Sequence, residues 1–411
     1  MKITSSSNTS VRRHLVDRKK AVDPNIDRQV AKIVDDVRRR GDRALIDYAR
    51  RFDDLTEPVE VSAREIRRGA AETPSVVRTA LRKSAIHIRR IAKLQVPRQW
   101  RSQLVPGVVV EQRVTPLARV GCYVPGGRYP LPSSLLMTAI PARVAGVREI
   151  IAVCPRLEPA VCSAALEAGI SRLFRIGGAH AIAALAYGTK SVPSVDKITG
   201  PGSTFVASAK AKVAADCPID FFAGPTEIVI VASKGNPDWF AADLVAQAEH
   251  DPDARAVLLT PSKRLAQAVG KAVDRQLTTH PAARPSIEAH GVAVVTRSLK
   301  EAIDLANEMG PEHVVCDRET VAQKLTQAGT VFVGPYGAQA AGDYATGSNH
   351  VLPTAGAARF RGGLSAADFV RVNSVQRITN KGLRRLAPTI LSLANAEGLV
   401  AHAASVAIRL R

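Results

Sequence analysis

The sequence predicts an α/β protein: two tandem, incomplete Rossmann-like parallel-sheet modules, with N-terminal helices ahead of them and a small helical C-terminal domain behind. Three observations predict this. Short β-branched runs alternate with amphipathic stretches from about residue 118 to 333, the order of βαβ units with right-handed crossovers. Most runs end in a Gly- or Pro-bearing loop that leads into the next element. Near Gly224 the alternation stops and starts again, so element order repeats although the residues do not. At 411 residues the chain also exceeds the usual size of a single core, and its few aromatic residues with abundant Ala, Val and Ile suit α/β layers.

Residues 1–23 read as an N-terminal arm, polar and then basic, without the apolar stretch of a signal peptide. From 24 to about 104 the pattern is helical. Ile26, Val30, Ile33, Val34 and Val37 space one long helix, Gly41 interrupts it, and Ala44, Leu45, Tyr48 and Phe52 resume it. Runs 108–114 and 118–124 then read as strands, the second meeting Pro125, Gly126, Gly127 and Arg128. A helix over 135–146, a strand at 150–153, a helix over 160–168 with Pro159 at its start, a strand at 173–176, a helix over 180–187 and a strand at 197–199 fill the first module, 119–222.

The second module restarts with a strand at 227–232 and a helix over 238–249. Strands at 256–259, 292–295, 313–315 and 330–333 alternate with helices over 262–277, 299–309 and 321–328. A Gly-rich, poorly patterned segment covers 334–363, and helices finish the chain, one of them over 389–407. The expected division groups 24–118 with 223–366 as one Rossmann-like domain, gives 119–222 to the other, and leaves 367–411 as the C-terminal segment.

The formal charge of +20 raises the question of a nucleic-acid surface. The basic residues, however, lie along amphipathic helices, interleaved with acids and apolar positions, as solvated faces do, and no nucleic-acid-binding signature accompanies them; no nucleic-acid partner is expected. No stretch approaches the length of a membrane span, so no membrane partner is expected either. Five scattered cysteines without a C-x-x-C pair point to a reducing, cytoplasmic setting and away from a disulfide framework or cysteine zinc site.

Candidate chemistry clusters in a few places. Gln247 and His250 lie at i and i+3 at the end of the helix that follows the 227–232 strand, so an amide oxygen and an imidazole nitrogen can grip a divalent metal from one side. Two ligands make no site, and the others must come from elsewhere. Glu312 and His313 stop a helix and start a strand; in a loop they would be an acid/base pair, on a regular strand they would face apart. Asp343, Tyr344 and His350 share the Gly-rich segment, and unpatterned loops of this kind carry disorder or function. Glu397 and His402 fall on a C-terminal helix, where a lone histidine is ordinarily a surface residue. The standard dinucleotide fingerprint G-x-G-x-x-G is absent. Instead Tyr123 with its Pro-Gly-Gly loop, Gly177-Gly178-Ala179-His180 and Gly200-Pro201-Gly202-Ser203 each end a strand, where open α/β sheets bind ligands and helix N-termini attract phosphate.

Taken together these segments resemble the histidinol dehydrogenase family from about residue 24 to 411. The likeness rests on Tyr123-Val-Pro-Gly-Gly127, Ile140-Pro-Ala142, Gly200-Pro-Gly202, Ala223-Gly-Pro225, Gln247-Ala-Glu-His250, Gly310-Pro-Glu-His313, Gly342-Asp343, Asn349-His-Val-Leu-Pro353 and 397–402. The resemblance implies an intertwined homodimer that oxidises L-histidinol to L-histidine through the aldehyde, reducing two NAD. It implies zinc, one per subunit, on Gln247, His250, Asp343 and His402, the last supplied by the other subunit. His313 then resembles the base that takes the hydroxyl proton and Glu312 the group that activates water. Thr226, Tyr344, His350 and Glu397 resemble substrate contacts alongside the metal ligands and His313, and Tyr123, His180 and Ser203 resemble the cofactor side.

Nitrogen and oxygen donors without thiolates suit zinc or manganese. Three positions depart from the family pattern: His180 for Gln, Ser203 for Asn, and Thr226 for Ser. They leave open a paralogue acting on another polar alcohol. Cys316, three residues beyond His313, is a candidate thiol nucleophile for the aldehyde step, with a buried structural role as the alternative.

Overall fold

A computed structural model describes residues 1–17, 23–126, 131–222 and 224–411. Gly127, Arg128 and Ala223 of the motifs above, and residues 18–22 of the arm, lie outside the described residues.

The chain opens with strand β1 (Lys2–Ser5) and helices α1 (Thr9–Val16), α2 (Pro24–Arg40), α3 (Asp42–Phe52), α4 (Ala63–Glu72) and α5 (Ser75–Gln95). Strands β2 (Trp100–Val105) and β3 (Val108–Pro116) lead to the first module: β4 (Arg119–Tyr123), α6 (Pro132–Ala145), β5 (Glu149–Val153), α7 (Pro159–Ala168), β6 (Arg172–Phe174), α8 (Gly178–Tyr187), β7 (Lys197–Thr199) and α9 (Thr204–Val213). The second module comprises β8 (Glu227–Val231), α10 (Pro237–Ala248), β9 (Arg255–Thr260), α11 (Lys263–Gln276), α12 (Arg284–His290), β10 (Val292–Val295), α13 (Leu299–Met309), β11 (His313–Cys316), α14 (Glu319–Ala322) and β12 (Thr330–Val333). Helix α15 (Gln339–Tyr344), strand β13 (Val370–Ile378) and helices α16 (Asn380–Ala396) and α17 (Val400–Ala407) follow.

The first parallel sheet runs β6-β5-β4-β7 and the second β1-β10-β9-β8-β11-β12. Counted within its own module, each sheet sets its third, second, first and fourth strands side by side in that order, the Rossmann arrangement. Both are covered on two faces, which is why their strands are almost wholly apolar. In the second sheet Ile228, Ile230, Ala256 and Leu258 pack against α10 and α11, while Val229, Val231, Val257 and Leu259 pack against α13. In the first sheet Val120, Cys122, Ile150 and Ala152 meet α5, α6 and α7, and Ile151, Val153 and Phe174 meet α2, α3 and α8. Helices α2 to α5 therefore cover the first sheet, whereas the expected division groups residues 24–118 with the second module.

Several elements escape the sequence pattern. Lys2–Ser5, expected to lie in an arm, pairs in parallel with β10 at the edge of the second sheet. Trp100–Val105, expected to be helical, and Val370–Ile378, expected in a helical segment, flank β3 in a small antiparallel sheet. Both are largely exposed, so neither shows the alternation that marks a half-buried strand. Helix α9 lacks a clear apolar stripe, its alanines and serine alternating with lysines. The expected helix over 321–328 shrinks to α14, and the one over 389–407 is two helices parted at Gly398, whose φ of +73° suits a residue without a Cβ.

Phe369 ends a short 3-10 turn, is fully buried against α6, and its carbonyl accepts the Leu117 N–H at 2.9 Å. Phe369→Ala should lower unfolding free energy by about 3–5 kcal/mol in urea titrations, whereas Phe360→Ala, at a side chain 80% exposed, should change it by no more than about 0.5 kcal/mol.

Candidate active site

Strand β8 lies between β9 and β11, with His313 in register with Ile228. This sets the backbone of Glu227 against the Glu312–His313 pair. Its N–H donates to Glu312 Oε2 at 2.9 Å, and its carbonyl lies 3.2 Å from His313 Nδ1. A carbonyl only accepts, so Nδ1 carries the proton and the lone pair sits on Nε2. Because Glu312 stands in the turn before β11, both side chains reach the same place: His313 Nδ1 is 3.5 Å from Glu312 Oε2. Burial alone would lower the imidazole's pKa, but the Glu312 and Asp343 carboxylates outweigh it and hold it above the ordinary value.

Glu312 Oε2 also accepts the Thr226 hydroxyl proton, and the Thr226 oxygen accepts the amide N–H of Gln247. That chain fixes the Gln247 amide with its nitrogen inward. Its Oε1 is buried and has no hydrogen-bond partner among the described residues. An orphaned buried acceptor is costly unless a donor or a cation meets it.

Helix α15, which packs on α10, brings Asp343 over this spot. Asp343 Oδ1 stands 3.9 Å from His313 Nε2, and Oδ2 accepts the Gln339 amide at 2.7 Å. Gln339 is buried and also lies 3.5 Å from His313 Nε2. His350 donates from Nδ1 to the Asp343 carbonyl at 3.0 Å, which leaves Nε2 as an acceptor 3.3 Å from the Ser134 hydroxyl. Burial keeps His350 below its usual pKa and hence neutral near pH 7. Tyr344 is exposed at the rim.

Thr226, Gln247, Glu312, His313, Asp343 and His350 are thus gathered by one chain. His250, just past α10, is exposed, and its side chain makes no hydrogen bond or ion pair with them. Glu397 and His402 are not brought there; they lie exposed at the end of α16 and on α17, which packs on α16. Among the described residues no group of three or more His, Cys, Asp or Glu stands ready to cage a metal. The donors do fit a divalent cation in kind: the Gln247 oxygen is buried without a donor, and Asp343 supplies a carboxylate near His313.

On the cofactor side the two Gly loops differ. The start of α8 is already satisfied: Gly177 N–H donates to Asp53 Oδ2 at 2.8 Å and Gly178 N–H to the Tyr123 hydroxyl at 3.1 Å. His180 is 1% exposed and hydrogen-bonds Asp53 Oδ2 at 2.7 Å, so it supports the loop from behind. The start of α9 is open. Ser203 makes no side-chain cap bond and, with Gly202 and Thr204, lines a cavity of about 380 Å³ whose far wall includes Glu227 and Arg255. The N-terminus of a ten-residue helix bordering a cavity fits a phosphate-bearing cofactor.

Sequence reasoning missed Gln339 and Glu227. The i, i+4 spacing of Gln339 and Asp343 is the available signal, hidden because the six-residue α15 has no apolar periodicity. Glu227 sat inside a run read as buried strand. Its carboxylate accepts the Ala355 N–H at 3.1 Å, and burial, reinforced by Glu312, pushes its pKa up to about 7. Cys316 is fully buried, and burial raises its thiol to about 11, which removes it as a nucleophile. No helix among the described residues is long and apolar enough to cross a membrane.

Glu227 yields a signed prediction. Its folded pKa exceeds the unfolded value of 4.5, so its contribution favours folding at low pH and is lost as pH rises from about 4.5 to 7. Glu227→Gln should therefore gain stability relative to the parent between pH 5 and pH 8, by up to about 3 kcal/mol, in thermal unfolding scans.

Known proteins share the sequence and the fold. The family model described as histidinol dehydrogenase matches residues 16–410. Histidinol dehydrogenase of Caulobacter vibrioides is 45% identical over 409 residues, covering 96% of this chain and 95% of the relative. That of Methanothermobacter thermautotrophicus is 44% identical over 395 residues, covering 93% of each. The crystal structure of histidinol dehydrogenase from Elizabethkingia anophelis superimposes with a TM-score of 0.93 at 33% identity, covering 100% of this chain and 98% of that one. With the whole length matched and the acid–imidazole pair in place, the chain belongs to the histidinol dehydrogenase family of oxidoreductases.

Proposed function

We propose that this oxidoreductase converts L-histidinol to L-histidine in two successive NAD-dependent oxidations, using the Glu312–His313 pair as its proton-handling groups. The observation that carries the reading is the orientation of His313, whose Nδ1–H is committed to the Glu227 carbonyl while the Nε2 lone pair faces the Asp343 side of the site.

In the first oxidation the substrate hydroxyl proton passes to His313 Nε2 while the carbinol carbon gives up a hydride. In the second, a water adds to the aldehyde, Glu312 taking one of its protons while the carbonyl oxygen gains one from His313, and the resulting diol loses a hydride and both hydroxyl protons to form the carboxylate. NAD, when bound, accepts each hydride. Zinc, when bound, holds a substrate bearing imidazole and amino nitrogens in register with these groups. Gln247 Oε1, Asp343, His250 and His402 from a second copy are the residues assigned to hold it. Thr226 orients Gln247 and Glu312 together, a role its hydroxyl fills as the family's serine would. His350, Tyr344 and Glu397 are assigned to the substrate. Residues 119–222 are read as the NAD module, with Tyr123 and Ser203 at its edge and His180 acting indirectly through Asp53.

The two-copy arrangement is supported by the C-terminal helices, where Leu393, Leu399, Val400 and Ile408 are 42–71% exposed, an apolar surface suited to a homodimer interface.

Two experiments test the reading. His313→Ala should cut NADH formation by roughly three orders of magnitude at unchanged zinc content, measured against a parent that forms two NADH per histidinol; near-parent turnover in the variant would remove the assigned base. His313→Ala and His402→Ala subunits, each inactive alone, should regain about half of parent activity in the mixed dimer, because one composite site is then intact. No recovery would put His402 in its own subunit's site, and parent-like activity of His402→Ala alone would take it out of the site altogether.

A further inference from the structure

The loop at the start of α9 is held by two buried charges that the reaction does not use. Asp220 and Lys210 are each 3% exposed and form an ion pair through Lys210 Nζ and Asp220 Oδ1. Asp220 Oδ2 accepts the Gly200 N–H at 2.8 Å, and Lys210 Nζ donates to the Gly200 carbonyl at 2.9 Å. Both backbone polar groups of Gly200 are therefore fixed by one salt bridge. Asp220 Oδ1 takes the Phe221 N–H at 2.7 Å as well, and Arg361 donates to the Asp220 carbonyl. Gly200 itself has φ +121° and lies so close to the Tyr123 carbonyl that a Cβ would collide with it.

A buried ion pair is weak as a source of stability, because desolvation of both charges offsets their attraction. Its consequence here is geometric. It ties the Gly200 loop to the far end of α9, where Lys210 sits, and to the segment that enters β8, where Asp220 sits.

We propose that Lys210 and Asp220 are positioning residues for the cofactor: their salt bridge clamps the Gly200–Ser203 loop in the conformation that presents the α9 N-terminus to a dinucleotide phosphate. This rests on the assignment of the NAD site to that helix start.

The test uses the assembled protein and measures NAD and L-histidinol binding separately by calorimetry. Removing one charge would strand the other, so the pair is replaced together as Lys210→Met/Asp220→Asn. The NAD dissociation constant should rise about tenfold or more, with the histidinol constant changed less than about twofold. Unchanged NAD binding in the folded double variant, or equal loosening of both ligands, overturns the clamp. Ser203→Asp separates the two claims. Loss of NAD binding in that variant supports the α9 site whatever the clamp variant does, and retention of it removes the site and the clamp together. Should the double variant fail to fold, amide exchange at Gly200 in the unaltered, cofactor-free protein decides. Protection at least about a hundredfold over an open amide supports a preformed loop, and exchange at the open-amide rate overturns it.

Discussion

The active site depends on where one backbone unit falls. Residue 227 begins β8, and parallel pairing with β11 puts its N–H on Glu312 and its carbonyl on His313. Neither contact depends on which side chain residue 227 carries; both depend on the register of the second sheet. A slip of one residue would turn every strand side chain to the opposite face and separate the pair from Thr226 and Gln247. The apolar layers on both faces of β8, packed against α10 on one side and α13 on the other, oppose such a slip. Core packing and the placing of the Glu312–His313 pair are thereby one constraint.

The site also lies at an unusual edge. Open α/β sheets ordinarily bind ligands beyond the carboxyl ends of their strands, the edge at which the proposed cofactor loops after β6 and β7 of the first sheet stand. In the second sheet Thr226, Glu312 and His313 stand at the amino ends of β8 and β11. Chain connectivity explains the pairing of the two edges. Ile219 bridges to Ile198 of β7, and the chain then has only a few residues before β8 begins, a reach of about 29 Å at most. The carboxyl edge of one sheet is thus tethered to the amino edge of the other, and the cavity bordered by both Ser203 and Glu227 lies between them.

Much of this was legible in the residues. The parallel strands announced themselves because burial on two faces leaves continuous apolar runs, and Gln247, Glu312, His313, Asp343 and His350 stood out as polar residues in otherwise spare segments. What failed to register has a common cause: pattern recognition needs a buried face. Strands β2 and β13 expose most of their side chains, and α15 is six residues long with Gly342 inside it. Gln339 and Glu227 act through hydrogen bonds that only register and turn geometry create. The role of His180 was likewise hidden, since its pairing with Asp53 spans 127 positions of the chain.

The short strand at the start of the chain has a bearing on how the molecule is made. Lys2 pairs with Val292, so the outermost strand of the second sheet finds its neighbour only after 290 further residues have left the ribosome, roughly 15–60 s later at ordinary elongation rates. The first module, contiguous from β4 to α9, has all its own strands in hand well before then. Until β10 emerges, the β1 segment has no docking place, and the second sheet is completed by an early segment of the chain joining much later ones.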